Sequence, residues 1–188
     1  MVDMLKNYRD IGEEITKVMK KKGFHKNAKV LIVTKGREAD TIKKLWDLNL
    51  KEFGENRVKE LVDKAMALPE DIDWHFIGHL QRNKVRQLVG LQGLKLIHSV
   101  DSVRLARKIS EEASKKQKTV NVLLQVNVAE EKQKYGFDKQ EIFQAVQIIG
   151  KLPALNVKGL MAMAPISADP EEVRPYFRRL NTIATKIK

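Results

Sequence analysis

One pattern recurs six times along the chain: a short apolar run, one or two polar residues at its end, then a stretch with helical spacing. The first run, 30–34, is β-branched and ends at Lys35. Residues 38–48 then place Ala39, Ile42, Leu45, Trp46 and Leu48 close to a helical repeat. Further strands are expected at 51–56, 73–78, 94–100, 121–128 and 157–164. Further helices are expected at 58–68, 83–89, from Asp101 or Ser102 to about Lys116, at 138–150 and at 171–188. Pro69 stops the 58–68 helix, Gly90 and Gly93 are C-cap candidates for 83–89, and Asp138 is an N-cap candidate. A charged helical pattern over 1–22 precedes the first strand.

Six successive units imply a parallel sheet with right-handed crossovers. The 121–128 run, near-continuously apolar, suits a parallel strand buried on both faces. The choice lies between an open doubly wound sheet and a barrel. A doubly wound sheet announces its phosphate loop as G-x-G-x-x-G after the first strand, whereas here Lys35-Gly36-Arg37 follows. Polar residues instead recur at the carboxyl ends of several strands: Lys35, Glu55, Asn56, His79, Ser99, Asp101 and Asn127. In a barrel those ends converge on one face. The expected fold is therefore an α/β parallel (β/α) barrel, one domain over 1–188, with about six of the eight strand–helix units that close such a barrel. Strands seven and eight, which usually carry the phosphate loops, have no counterpart in these 188 residues.

Composition narrows the chemistry. With no cysteine, disulfides, zinc–thiolate sites and cysteine nucleophiles are excluded. No run approaches the roughly 20 apolar residues that cross a bilayer, and 1–22 has no apolar signal core, so a soluble cytoplasmic protein without membrane partners is expected. The net charge of +12 favours anionic partners. Its basic residues are spread along the chain as solvated helix faces, and 6% aromatic content without basic–aromatic interleaving argues against specific nucleic-acid binding.

Lys35 is the residue with the most chemistry. At the rim of an apolar barrel, partial desolvation and a nearby cation such as Arg37 would favour the neutral amine, which attacks a carbonyl to form a Schiff base; the plainer alternative is a lysine that extends into solvent at a strand end. Asn56 could fix a ring hydroxyl or orient the lysine, or simply belong to a turn with Gly54. In Trp74-His75-Phe76-Ile77-Gly78-His79, period two separates Trp74 and Phe76 from His75 and Ile77. A zinc site is disfavoured there, because the i, i+4 histidines lie on a strand pattern interrupted by Gly78; His75 and His98 read as hydrogen-bonded barrel histidines. Met161 could pack against a flat ring at the end of the sixth strand, or serve the core.

These segments together resemble a known family. They are Val33-Thr34-Lys35; Phe53-Gly54-Glu55-Asn56-Arg57-Val58 with Glu60; Trp74-His75-Phe76-Ile77-Gly78-His79-Leu80-Gln81 with Asn83-Lys84; His98-Ser99-Val100-Asp101-Ser102; Leu124-Gln125-Val126-Asn127-Val128 leading to Gly136-Phe137; and Gly159-Leu160-Met161. In this order they are similar to the pyridoxal phosphate homeostasis proteins. The resemblance implies a barrel like the N-terminal domain of alanine racemase, with pyridoxal 5′-phosphate held as a Schiff base on Lys35. It implies Asn56 close to the cofactor and Met161 near its ring, and His75 and Ser99 complete the candidate cofactor-binding set. It further implies a role in vitamin B6 homeostasis without known catalytic turnover, pyridoxal phosphate-dependent apoenzymes as possible partners, and a monomer for the full-length family. The family normally continues with a seventh and an eighth strand that supply most of the phosphate grip. The resemblance thus implies a weakened grip for these 188 residues, with exposed apolar sheet edges that favour association.

The competing expectation is a racemase-like pyridoxal phosphate enzyme. It would need a second acid–base group opposite the lysine, and of Tyr8, Tyr135 and Tyr176 only Tyr135 falls in a loop on the carboxyl face.

Overall fold

The computed structural model describes residues 2–23, 28–131 and 135–187, so that Met1 and Lys188, the outer ends of the first and last expected helices, lie outside the described residues. Two compact units are distinguished, Met1–Ile32 and Val33–Lys188. The first holds α1 (Val2–Lys21), an amphipathic helix with Lys20 and Lys21 in its last turn, where cations complement the helix dipole.

After α1 the elements alternate: β1 (Ile32–Val33), α2 (Ala39–Trp46), β2 (Glu52–Glu55), α3 (Val58–Ala67), β3 (Asp73–Phe76), α4 (Val85–Val89), β4 (Leu94–Val100), α5 (Val103–Lys115), β5 (Val120–Gln125), α6 (Glu141–Ile149), β6 (Leu155–Met161) and α7 (Pro170–Ile187). The six strands form one sheet in sequence order, parallel from β2 through β6. A doubly wound sheet reverses direction at a switch point. Strictly sequential order is barrel winding, and here it leaves β1 and β6 as the edges of an open sheet.

Period-two alternation divides the sheet into two faces. Cross-strand partners Phe53↔Trp74, Phe76↔Ile97 and Ile97↔Val122 lie on one face. All five are at most 1% exposed, beside the buried helix residues Ile42, Leu45, Leu61, Val85, Leu88, Leu105, Ile109, Ile142 and Ile149. The Phe53 and Trp74 rings meet at 6.1 Å in a tilted arrangement. The opposite face carries Gly54↔His75, His75↔Leu96, Leu123↔Gly159 and Gln125↔Met161, a mixture of polar, small and apolar side chains. No residue of β6 is buried, in keeping with its edge position, and Met163, Ile166 and Phe177 beyond it are exposed.

Element boundaries depart from the sequence expectations by a few residues, for identifiable reasons. The 121–128 run ends as a strand at Gln125; Val126 still donates to Met161 O but forms an isolated bridge with Phe137. The helix expected from 138 begins at Glu141, with the Asp138 carboxylate accepting from the Gln140 and Glu141 amides, which is capping as expected but one turn ahead of the helix. Ser102, not Asp101, caps α5 by accepting from Leu105 N at 3.2 Å. The helix expected at 83–89 is a 3₁₀ turn, Arg82–Lys84, running into α4 and capped by Gly90 rather than Gly93. Among the described residues no helix is long and apolar enough to cross a membrane.

Gly78 is required by its surroundings. A Cβ there would sit 2.0 Å from the backbone oxygen of Asn56 and 2.7 Å from its Cα, both fixed main-chain atoms. The Gly78→Ala variant is therefore expected to lose about 3 kcal/mol or more, a fall of roughly 6–12 °C in the thermal unfolding midpoint for a chain of this size. Calorimetry on the purified variant checks this.

Candidate functional site

The carboxyl ends of the strands bring several candidate residues to one end of the sheet. Thr34 N donates to Gly54 O at 2.9 Å, which sets Lys35 beside the end of β2. Ile77 N donates to Glu55 O at 2.8 Å, and Gly78 lies against the Asn56 backbone. Ser99 Oγ in turn donates to Gly78 O. Val126 N donates to Met161 O at 2.8 Å at the same end. Lys35 and Asn56 are thus on neighbouring strand ends, whereas Met161 is on the far edge strand of the open sheet.

Lys35 is exposed, and among the described residues it makes no hydrogen bond or ion pair. It follows β1, the first strand of the sheet, on which Val33 is itself 44% exposed. The backbone on either side of it is held. Lys64, from α3, donates all three of its ammonium hydrogens: to Thr34 O at 2.8 Å, to Glu55 Oε1 at 2.7 Å and to Glu60 Oε1 at 2.7 Å. Thr34 Oγ1 donates to Glu55 Oε1 at 2.6 Å, and Gly36 N donates to Glu60 Oε1 at 2.7 Å. Gly36 takes φ 67°, a left-handed turn that glycine adopts without strain. Glu55 is fully buried and Lys64 is 7% exposed. Burial opposes the Lys64 charge, but its hydrogen bonds to Glu55 and Glu60 outweigh that and raise its pKa; the Lys64 hydrogen bond likewise lowers the Glu60 carboxyl. Both groups are charged at neutral pH. Among the described residues Glu55 Oε2 has no hydrogen-bond partner, so the buried carboxylate is held by Lys64 and Thr34 through one oxygen.

His75 and His98 project from adjacent strands with His75 Nδ1 and His98 Nε2 2.8 Å apart, one ring donating the proton that the other accepts. Glu52 Oε2 lies 3.8 Å from His75 Nε2 on the other side. Desolvation, reinforced by the neighbouring His75, lowers the pKa of His98 to about 4. Beyond β3, His79 Nδ1 meets Asp101 Oδ2 at 3.1 Å, and the Tyr135 ring stacks on His79 at 3.7 Å with a 16° interplanar angle. Tyr135 is held through its backbone, Gln125 Nε2 donating to Tyr135 O at 3.2 Å.

Two of these groupings were not visible as units in the sequence. The signal for the first was a lysine at a core position of α3, where Val58, Leu61, Lys64 and Leu68 share the buried stripe, with Glu60 four residues before it. The second has no local signal, since His79, Asp101 and Tyr135 come from three separate loops.

Comparison with known proteins is consistent with this geometry. Residues 12–188 match the family described as "Alanine racemase, N-terminal domain". A pyridoxal phosphate homeostasis protein of Aquifex aeolicus is 38% identical over 178 residues, covering 94% of this chain and 77% of that protein. Solved structures of PipY from Synechococcus elongatus, 30% identical, superpose with TM-scores of 0.79 without pyridoxal phosphate and 0.74 with it bound. They cover 85% and 84% of this chain and 74% of PipY. Alanine racemase of Clostridium difficile, 17% identical with a TM-score of 0.71 over 97% of this chain and 47% of its own, shares the fold.

Two outcomes follow from the electrostatics. Lys64→Met strands the Glu55 carboxylate in the core and is expected to cost about 3–5 kcal/mol in urea unfolding, whereas Glu60→Ala costs less because Lys64 keeps Glu55. For His98, the unfolded chain takes up a proton on this ring below about pH 6.5, while the folded ring resists until about pH 4. Stability therefore falls across that window as pH drops, by at most about 3 kcal/mol and less given solvent screening of a half-buried ring. His98→Gln should flatten this part of the curve relative to wild type when urea midpoints are compared at pH 7 and pH 5.

Proposed function

The chain belongs to the alanine racemase N-terminal domain family and, within it, to the pyridoxal phosphate homeostasis proteins. From that premise we propose that it binds pyridoxal 5′-phosphate through Lys35 and takes part in vitamin B6 homeostasis in the cytoplasm, as a carrier without catalytic turnover. The observation that carries this reading is a primary amine at the carboxyl end of the first strand, exposed and unpaired among the described residues, on a turn anchored on both sides. An engaged ammonium such as Lys64 could not serve, because all three of its hydrogens are committed.

The cofactor supplies an aldehyde, which condenses with a primary amine with loss of water. The chain's own residues do the rest. Asn56, on the neighbouring strand end, offers an amide to orient the ring substituents. Ser99 acts at one remove, holding Gly78 against Asn56. The His75–His98 pair presents a polar, uncharged surface on His98 at neutral pH. Met161 offers a soft apolar contact from the far strand. Pyridoxal phosphate-dependent apoenzymes are the partners such a carrier would serve, and a monomer suffices for that role.

A second reading, an amino-acid racemase-like activity, draws on the His79–Asp101 pair and the Tyr135 ring stacked upon it, an acid–base group at the same end of the sheet. The carrier reading predicts no racemisation of a chiral amino acid above that caused by free cofactor.

Titration of the protein with pyridoxal 5′-phosphate, followed by visible absorption, tests the proposal. A stoichiometric band that survives gel filtration, disappears on borohydride reduction and is absent from Lys35→Ala is the expected result. Folded wild-type protein without a band, or an equal band in Lys35→Ala, would refute it.

A further inference from the structure

Among the described residues Lys35 makes no hydrogen bond or ion pair that fixes where its amine stands, yet both peptide units flanking it are pinned to α3. On the upstream side, Thr34 O accepts from Lys64 Nζ. On the downstream side, Gly36 N donates to Glu60 Oε1, and the same oxygen accepts from Lys64 Nζ. The turn is closed by Arg37 N donating to Thr34 O at 3.0 Å. A lysine side chain has four rotatable bonds, so the only economical way to aim it is to fix its Cα–Cβ direction, and that direction follows from the two flanking peptide planes.

We infer that Glu60, oriented by Lys64, is a positioning residue for Lys35: it holds the Gly36 amide so that the lysine enters the site in one direction. The carboxylate is well placed for this because it sits one helical turn before Lys64 on α3 and is partly open to the loop, with a side chain 26% exposed. The buried Lys64–Glu55 pair supplies a fixed anchor behind it. The inference rests on the reading of Lys35 as the cofactor lysine, and it assigns to α3 a role in that chemistry that no residue of α3 plays by contact.

Glu60→Ala is the informative variant, since it removes the link to Gly36 and leaves Lys64 paired with Glu55. Three measurements are made on wild type, Glu60→Ala and Glu60→Gln: the rate of band formation with pyridoxal 5′-phosphate, amide hydrogen exchange at Gly36 and at Ile77, and the thermal midpoint. In Glu60→Ala the capture rate is expected to fall on the order of tenfold or more, the range that loss of orientation produces. Gly36 exchange should accelerate while Ile77, bonded to Glu55 O, keeps its protection. Glu60→Gln, which retains an acceptor oxygen for the Gly36 amide, should recover most of the rate. A capture rate in Glu60→Ala equal to wild type, or unchanged Gly36 exchange, overturns the inference while leaving Lys35 as the cofactor residue. Wild type that forms no band overturns the cofactor reading itself and this inference with it.

Discussion

A single buried ammonium, that of Lys64, joins three elements of the fold. Its three hydrogens reach the end of β1, the end of β2 and the first turns of α3. Removing two opposite charges from water costs several kcal/mol per ion, and their attraction offsets this only when the geometry is good and the remaining donors are satisfied. Lys64 meets that condition; Glu55, with Oε2 unpartnered, meets it only in part. A hydrophobic pair would serve stability as well. What an apolar pair could not do is grip a carbonyl on one side of Lys35 and, through Glu60, an amide on the other. The cluster is better understood as a means of specifying where one loop stands than as a source of stability.

The two faces of the sheet divide the labour. On the helix-covered face, Phe53, Trp74, Phe76, Ile97 and Val122 are sealed from solvent and fix the register. On the other face the His75–His98 pair is an expensive feature in packing terms, because burial denies His98 its charge until about pH 4. Ionisable groups displaced in this way concentrate at functional sites, and this pair lies one strand over from Asn56. The close passage of Gly78 over Asn56, with Ser99 holding Gly78 from the next strand, ties β2, β3 and β4 together at that end.

The sheet runs in sequence order from β1 to β6. β1 contributes two residues and β6 has none buried, so Lys35 and Met161 stand at opposite margins of the sheet.

The sequence alone determined the six β/α units, their parallel arrangement and the barrel-type winding, because each rests on local periodicity and on the absence of a glycine-rich loop after the first strand. It also placed Lys35 and Asn56 at strand ends, whereas their nearness to a cofactor came only as what the family resemblance implies. The tertiary structure alone decided which of these side chains is held and by what. Lys64 looked like one more helix lysine among a net charge of +12, and only the docking of α3 against β2 reveals it as the buried partner of Glu55. Likewise Tyr135, whose carbonyl accepts from Gln125 beside the Val126–Phe137 bridge, stacks on a histidine far from it in sequence. Periodicity is written in neighbours along the chain and can be read there. Desolvation and hydrogen-bond satisfaction depend on groups far apart in sequence, and those exist only once the chain has packed.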